Sequence, residues 1–437
     1  MRVSRDWFKD FAPVTWRTLD FCNGKGNIGG NSTTIDKYGG FITHTLNISA
    51  LEDILTLQHA KVNALQTVQV RLTHNCIYRE LVWDLISRCG GSIRTMDLHC
   101  DPPPSDSFQE TNLKYFIRFN DMFAPPCLSP STNGGGITTS HGSRLTELSL
   151  KYVCLTREGF SSMLQRSPSL DRLVLYRVII IGHSDSVPLY TGSSLRYLSA
   201  SLNQIYAFDT KGCAPCLLLH FPLLQEWNIS WMYPPNHWTI GPAYKDFSSW
   251  CPQLKTITFG TEGTEPISRL LVNTFDTLES CTISGECLTA STALGLISHK
   301  DTLTSIIIKD RSPRDDWMHW FHVIPRLCLH LQVLSLEPLE FDSETLDSFQ
   351  WGCKDLRELR VRFKNLGDIG EYSVSSDVDE CLMQLCDWRR FGGGAALVRF
   401  KERETIKTRI CHYLFQFKKL RTVWLGTKDY YLPPSLP

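Results

Sequence analysis

The chain has 437 residues, of which 42% are apolar, and its 45 lysines and arginines balance 45 aspartates and glutamates. A formal net charge of zero excludes a global field that would draw the molecule to nucleic acid or an anionic membrane. No apolar run reaches the roughly 20 residues that a membrane-spanning helix needs, and the charged start (Arg2, Arg5, Asp6, Lys9, Asp10) carries no signal-peptide core. The expectation is therefore a soluble intracellular monomer, cytoplasmic and/or nuclear, that contacts neither nucleic acid nor membrane.

In chain order, Val3, Trp7 and Phe11 fall along one side of a short N-terminal helix. Asn23 to Gly40, rich in Gly, Asn, Ser and Thr, reads as a flexible connection. From Leu65 a single pattern then recurs thirteen times: an apolar residue, two others, an apolar residue, one other, an apolar residue. The copies begin at Leu65, Ile93, Leu113, Leu145, Leu170, Leu195, Leu224, Leu254, Leu278, Leu303, Leu331, Leu356 and Leu420. From Leu145 to Leu356 the steps are 25, 25, 29, 30, 24, 25, 28 and 25 residues, a period that predicts a leucine-rich-repeat solenoid. The Leu113 copy is the poorest, because Arg118 fills its last apolar position.

Alternation within the triplet is the period of a strand, so each copy should contribute one short strand to a parallel sheet. The chain must return on the other side. After Leu150, Phe160, Met163 and Leu164 have helical spacing, with Thr156 as N-cap and Pro168 ending the turn. Similar return segments lie at 267–275, 290–298, 317–324 and 343–349. The predicted fold is thus α/β, a horseshoe with one parallel sheet on its concave face and short helices outside. The proline- and glycine-rich stretches 101–107 and 124–142 read as loops inserted between early repeats.

The 64-residue step from Leu356 to Leu420 contains two helical patterns, one through Cys381, Leu382, Leu385 and Cys386 and one through Ile406, Ile410, Leu414 and Phe417. An open solenoid needs its last apolar face covered. The expected organisation is an N-terminal remnant at 1–21, a linker and cap region at 22–64, the solenoid at 65–361, and an enlarged final repeat with a C-terminal cap at 362–437.

Three of the sixteen cysteines (Cys251, Cys328, Cys353) stand three residues before a repeat's first leucine, where other repeats place Ser167 or Phe221. That is a packing slot for a reduced thiol, and disulfides are not expected. Cys213 and Cys216, with His220 nearby, have the spacing of half a zinc site, but no second Cys-x-x-Cys completes four ligands. Gly134-Gly135-Gly136 lacks the strand and the Lys-Ser or Lys-Thr helix of a phosphate loop. Asp315, Asp316, His319 and His322 read as a solvated helix edge. No enzyme, metal or cofactor is expected.

The N-terminal order Val3-Ser4-Arg5-Asp6-Trp7-Phe8, then Phe11, then Trp16-Arg17-Thr18-Leu19, resembles the last helix and exit strand of an F-box. With the repeats, the Cys251-Pro252-Gln253-Leu254 junction and the end from Phe417 to Pro434, the chain resembles the F-box and leucine-rich-repeat proteins of fungal type. The resemblance implies a substrate receptor of a Skp-cullin-F-box ubiquitin ligase, with the Skp adaptor and cullin ligase as partners and a protein target on the repeats. Val3, Trp7, Phe8 and Phe11 would be what remains facing the adaptor, since the Leu-Pro opening and first two helices of a full F-box are not in this sequence. The alternative is a repeat-only scaffold that binds protein without the adaptor.

In a solenoid, the residues between the buried strand positions form ladders on the open sheet face. Aromatic and arginine side chains dominate protein interfaces energetically, which singles out Tyr176, Tyr197, Arg360, Arg362 and Trp424, with Asn228 as a hydrogen-bonding member.

Overall fold

The computed structural model describes residues 17–20, 42–48, 53, 55, 57, 62, 65–72, 89, 91–100, 117–118, 144–181, 193–200, 217–229, 247–259, 272, 275–285, 288–309, 317–341, 350–363, 413–414, 416–425 and 429–431. The chain divides into two compact units, Met1–Gln225 and Glu226–Pro437, and each has the strand-per-repeat construction of a leucine-rich-repeat solenoid.

The first unit contains β1 (Thr18–Asp20), β2 (His44–Ile48), β3 (Thr67–Leu72), β4 (Thr95–Cys100), β5 (Ile117–Arg118), β6 (Glu147–Lys151), β7 (Val153–Thr156), α1 (Arg157–Arg166), β8 (Arg172–Tyr176), β9 (Ile179–Ile181) and β10 (Tyr197–Ser199). Its main sheet runs β1-β2-β3-β4-β6-β8-β10, parallel throughout. Register follows the repeat, with Leu148 opposite Leu173 and Leu173 opposite Leu198. The second unit contains β11 (Glu226–Ile229), α2 (Phe247–Trp250), β12 (Thr256–Phe259), β13 (Ser280–Ser284), α3 (Ala290–Ser298), β14 (Ser305–Lys309), α4 (Trp317–Leu327), β15 (Val333–Phe341), β16 (Glu358–Phe363), β17 (Thr422–Leu425) and β18 (Asp429–Tyr431). Here β11 to β17 are parallel, and β18 closes the series antiparallel to β17.

The apolar triplets are the core. Leu145, Leu148 and Leu150, Leu170, Leu173 and Leu175, and Leu303, Ile306 and Ile308 are all buried, as are the described counterparts in the other repeats of the main sheets. Burial of such a side chain stabilises by roughly 1.5–3 kcal/mol, and stacking the same three positions on every rung makes that core continuous. The residue three before each first leucine closes a tight turn. Its carbonyl accepts the leucine N–H in the repeats opened by Ser167, Phe221, Cys251, Cys328, Cys353 and Phe417. The slot beneath that turn takes side chains from serine and cysteine to phenylalanine, and all six are buried.

A hydroxyl one residue before the first apolar position ties neighbouring repeats together. Ser92 donates to the Leu65 carbonyl at 2.8 Å, Ser194 to Leu170 at 3.0 Å, Thr277 to Leu254 at 3.0 Å and Thr302 to Leu278 at 2.8 Å.

Four features differ from the sequence reading. The Leu113 copy adds no rung to the main sheet, where β4 pairs directly with β6. Ile117 and Arg118 pair instead with Val153 and Cys154 in a second, three-stranded parallel sheet, β5-β7-β9. Second, the chain leaves β6 and β8 through these short strands before any helix begins, using left-handed backbone at Tyr152 (φ 57°) and Arg177 (φ 50°). Third, β2 precedes Leu65 as a strand that the pattern does not signal, because the buried residue opposite Val68 is Thr45 rather than an aliphatic. Fourth, the antiparallel β18 was not foreseen. The 64-residue step, by contrast, leaves the ladder intact, since β16 and β17 are direct neighbours.

Of the expected return helices, α3 spans 290–298 as read and is capped by Thr289, whose hydroxyl accepts the Thr292 N–H at 3.4 Å. Helix α4 runs to Leu327, past the expected end at Ile324. The Pro325 carbonyl near its end receives the N–H groups of Gly352 at 3.0 Å and Cys353 at 3.2 Å, which joins two repeats at a helix terminus whose last carbonyls would otherwise lack donors. Residues 267–271 and 343–349 lie outside the described residues, as do Ile406 and Ile410 and the whole 381–386 pattern. Leu414 and Phe417 of the last pattern are buried.

Candidate protein-binding faces

Parallel register converts the alternate positions of each strand into rows that cross the sheet. In the second unit one row runs Asn228, Thr258, Thr282, Ile307, Ser335, Arg360, Trp424, each residue opposite the next. Arg360 and Trp424 are therefore adjacent, whereas Asn228 stands six strands away at the far end of the same row. Arg360 is held from its own strand, Nε donating to Glu358 Oε1 at 2.7 Å. Arg362 is exposed, two residues further along β16, and Trp424 is half-buried on β17 opposite Asp429 of β18. The hydroxyl-lined middle of the row is partly sunk into the sheet, with Thr282 and Ser335 buried.

In the first unit the two tyrosines lie at opposite ends of their strands. Tyr197 opens β10 opposite Arg172, whose guanidinium carbon lies 3.5 Å from the centre of its ring, a close cation–π contact. Tyr176 closes β8, and there a larger group assembles. Its ring meets Tyr152 edge-on at 5.6 Å, and Tyr152 stacks on His99 at 5.9 Å. Arg177 reaches both tyrosines, at 5.6 and 5.7 Å from the ring centres. Both Tyr152 and Arg177 have left-handed backbone and follow directly on a strand, β6 and β8 respectively. Partial burial raises the Tyr152 phenol above its usual range, with Arg177 pulling the other way.

Beside this group, Arg71, His99, Lys151 and Tyr176 form one registered row at the C-terminal ends of the strands. One row inward, Asp97 accepts from Lys151 at 3.5 Å and from Gln69 at 3.4 Å. Both contacts are longer than well-formed hydrogen bonds, and Lys151 keeps a third of its side-chain surface exposed. Of these residues the sequence reading of the face singled out Tyr176 but missed Arg71, Asp97 and His99. Extending the same alternate-position reading to the Leu65 and Ile93 copies would have found them. Tyr152 and Arg177 follow the strands and are placed by the left-handed turn, which no spacing rule signals.

The remaining sequence candidates are placed as follows. His220 is buried and packs edge-on to Phe160 at 6.1 Å, a core position, while Cys213 and Cys216 lie outside the described residues. His322 sits 6.1 Å from the Phe341 ring. Val3, Trp7, Phe8, Phe11 and Gly134 to Gly136 are also outside the described residues. Cys251, Cys328 and Cys353 are free thiols, each pushed up to about 12 chiefly by burial. Among the described residues no group of three or more metal-ligating side chains converges, and no helix is long and apolar enough to cross a membrane.

No family model and no curated protein matches the chain. Among solved structures it is similar to an internalin (inlF) from Listeria monocytogenes, at 12% identity and a TM-score of 0.33, over 76% of this chain and 78% of that one.

Proposed function

We propose that the chain is a protein-interaction scaffold that grips a polypeptide on its sheet faces, and that it acts as the substrate receptor of a Skp-cullin-F-box type ubiquitin ligase. The observation that carries the first part is the registered rows on the parallel ladders, in which aromatic and arginine side chains are half-buried or exposed. Such rows preorganise many small contacts at little entropic cost, which is how a binding surface gains affinity without a pocket. The hot-spot candidates are Tyr176 and Tyr197 in the first unit and Arg360, Arg362 and Trp424 in the second.

The receptor role rests on the sequence of residues 1–21, where Trp7 and the Trp16-Arg17-Thr18-Leu19 exit follow the F-box order. In this reading 362–437 forms the enlarged last repeat and cap. The brevity of that N-terminal match favours a second reading, a scaffold that holds protein without any adaptor. Co-expression with a Skp adaptor and affinity capture of the full chain separates the two. The receptor should retain the adaptor stoichiometrically, and Trp7→Ala with Phe11→Ala should release it. Absence of capture by the unmodified chain removes the ligase role and leaves the scaffold.

A further inference from the structure

The charged groups of the first unit's sheet face are not evenly mixed. Its N-terminal edge carries both signs, in Arg94, Glu147, Asp171, Arg172 and Arg196, with Arg196 3.6 Å from Asp171. The C-terminal row contains cations and aromatics and, among the described residues, no carboxylate; Asp97, which Lys151 contacts, belongs to the row inward. Glu147 is four residues up its strand from Lys151, roughly 13 Å away.

We infer that the row of Arg71, His99, Lys151 and Tyr176, rimmed by Tyr152 and Arg177, is the docking strip for an extended polypeptide segment rich in aspartate and glutamate. The inference deepens the protein-binding reading and rests on it.

Three observations argue for this occupant. The first is charge complementarity: among the described residues the strip holds cations with no carboxylate in its own row, in a chain whose net charge is zero, so it offers an acidic segment a local attraction. The second is spacing. Arg71 and Lys151 stand two strands apart, about 10 Å, a separation that an extended chain covers in about three residues. Cations spread in this way meet successive carboxylates, whereas a single phosphate group needs donors that converge on one point. The third is the state of Lys151, whose internal partner Asp97 is 3.5 Å away, beyond good hydrogen-bond length. An incoming carboxylate can share this ammonium without first breaking a tight pair. Beside Lys151, the half-buried rings of Tyr152 and Tyr176 offer apolar area for the stems of glutamate side chains and for aromatic residues of the segment.

The test uses the full chain and a fluorescein-labelled peptide of about eight alternating glutamate and alanine residues, long enough to cross the row. Its glutamine and phosphoserine counterparts serve as comparisons, with binding read by fluorescence anisotropy. The glutamate peptide should bind at least tenfold more tightly than the glutamine peptide, and should weaken about tenfold as salt rises from about 50 to about 300 mM. Arg71→Gln combined with Lys151→Gln should lower affinity at least tenfold, with an unchanged circular-dichroism melt. Lys255→Gln, on an exposed ion pair of the second unit, should change nothing. No binding of the glutamate peptide, equal binding of the glutamine peptide, or an unaffected double variant overturns the proposal. So does a phosphoserine peptide that binds at least tenfold more tightly than the glutamate one, which would make the strip a phosphopeptide site. None of the strip residues belongs to residues 1–21. Peptide failure with adaptor capture intact therefore removes this inference alone, and the reverse result removes only the receptor reading.

Discussion

Gly352 shows how little room separates two repeats at one point. A Cβ there would lie 2.6 Å from the carbonyl oxygen of Arg326 and 2.7 Å from Leu329 Cδ2. The leucine can turn aside, but the carbonyl belongs to the end of α4, whose neighbouring Pro325 carbonyl holds the Gly352 N–H. Gly352→Ala is expected to cost about 1–3 kcal/mol, the usual penalty of overpacking, measured as a lower denaturant midpoint with unchanged slope. The buried thiols make a second prediction. With a pKa of about 12, Cys251, Cys328 and Cys353 hold only about one thiolate in ten thousand at pH 8. Iodoacetamide should leave all three unmodified in the native protein and label them after denaturation, as read by mass spectrometry. Because folding raises these pKa values above the unfolded value of about 8.5, their contribution to stability is complete below that pH and is lost as pH climbs toward 12. The role of these cysteines was legible in the sequence, since their offset from the first leucine is shared with Ser167 and Phe221, residues that share no chemistry beyond fitting the slot.

At the scale of the strand and turn, the hydroxyl link between repeats can be broken without touching the core. Thr302 donates to the Leu278 carbonyl at 2.8 Å and to His299 at 3.3 Å, so Thr302→Val keeps the shape and removes the donor. The expected loss is about 1 kcal/mol, and Ser194→Ala should behave likewise. Calorimetric melting of each variant checks this, and an unshifted midpoint would mean that water replaces the hydroxyl without cost. Elements whose inward side chains are aliphatic were legible, because burial selects them on every rung. Strand β2 was not, since Thr45 is buried in an aliphatic slot, its hydroxyl 3.5 Å from the Thr67 carbonyl. Nor was the fate of 117–118: a two-residue strand has no period of its own, and its partners lie in β7, beyond the repeat motif. The binding rows were legible as alternate positions. Their clustering depends on register and on the left-handed residues Tyr152 and Arg177, which pattern alone does not reveal.

At the scale of the whole chain, a repeat array has no central core, and each rung is stabilised mainly by the rungs on either side. A cavity in one rung should therefore be felt locally, in contrast to a globular domain where loss of a core side chain weakens the whole cooperative unit. Leu173 is fully buried in β8 and lies in register between Leu148 and Leu198. Leu173→Ala should cost about 2–5 kcal/mol, the transfer loss plus the cavity left behind. The informative measurement is where that cost appears. Amide hydrogen exchange by mass spectrometry should show protection falling in β6, β8 and β10, while peptides covering β14 and β15 exchange as in the unmodified protein. A uniform loss of protection across all strands would show instead that the two units open as one cooperative body, and nearest-neighbour stabilisation would then not describe this chain.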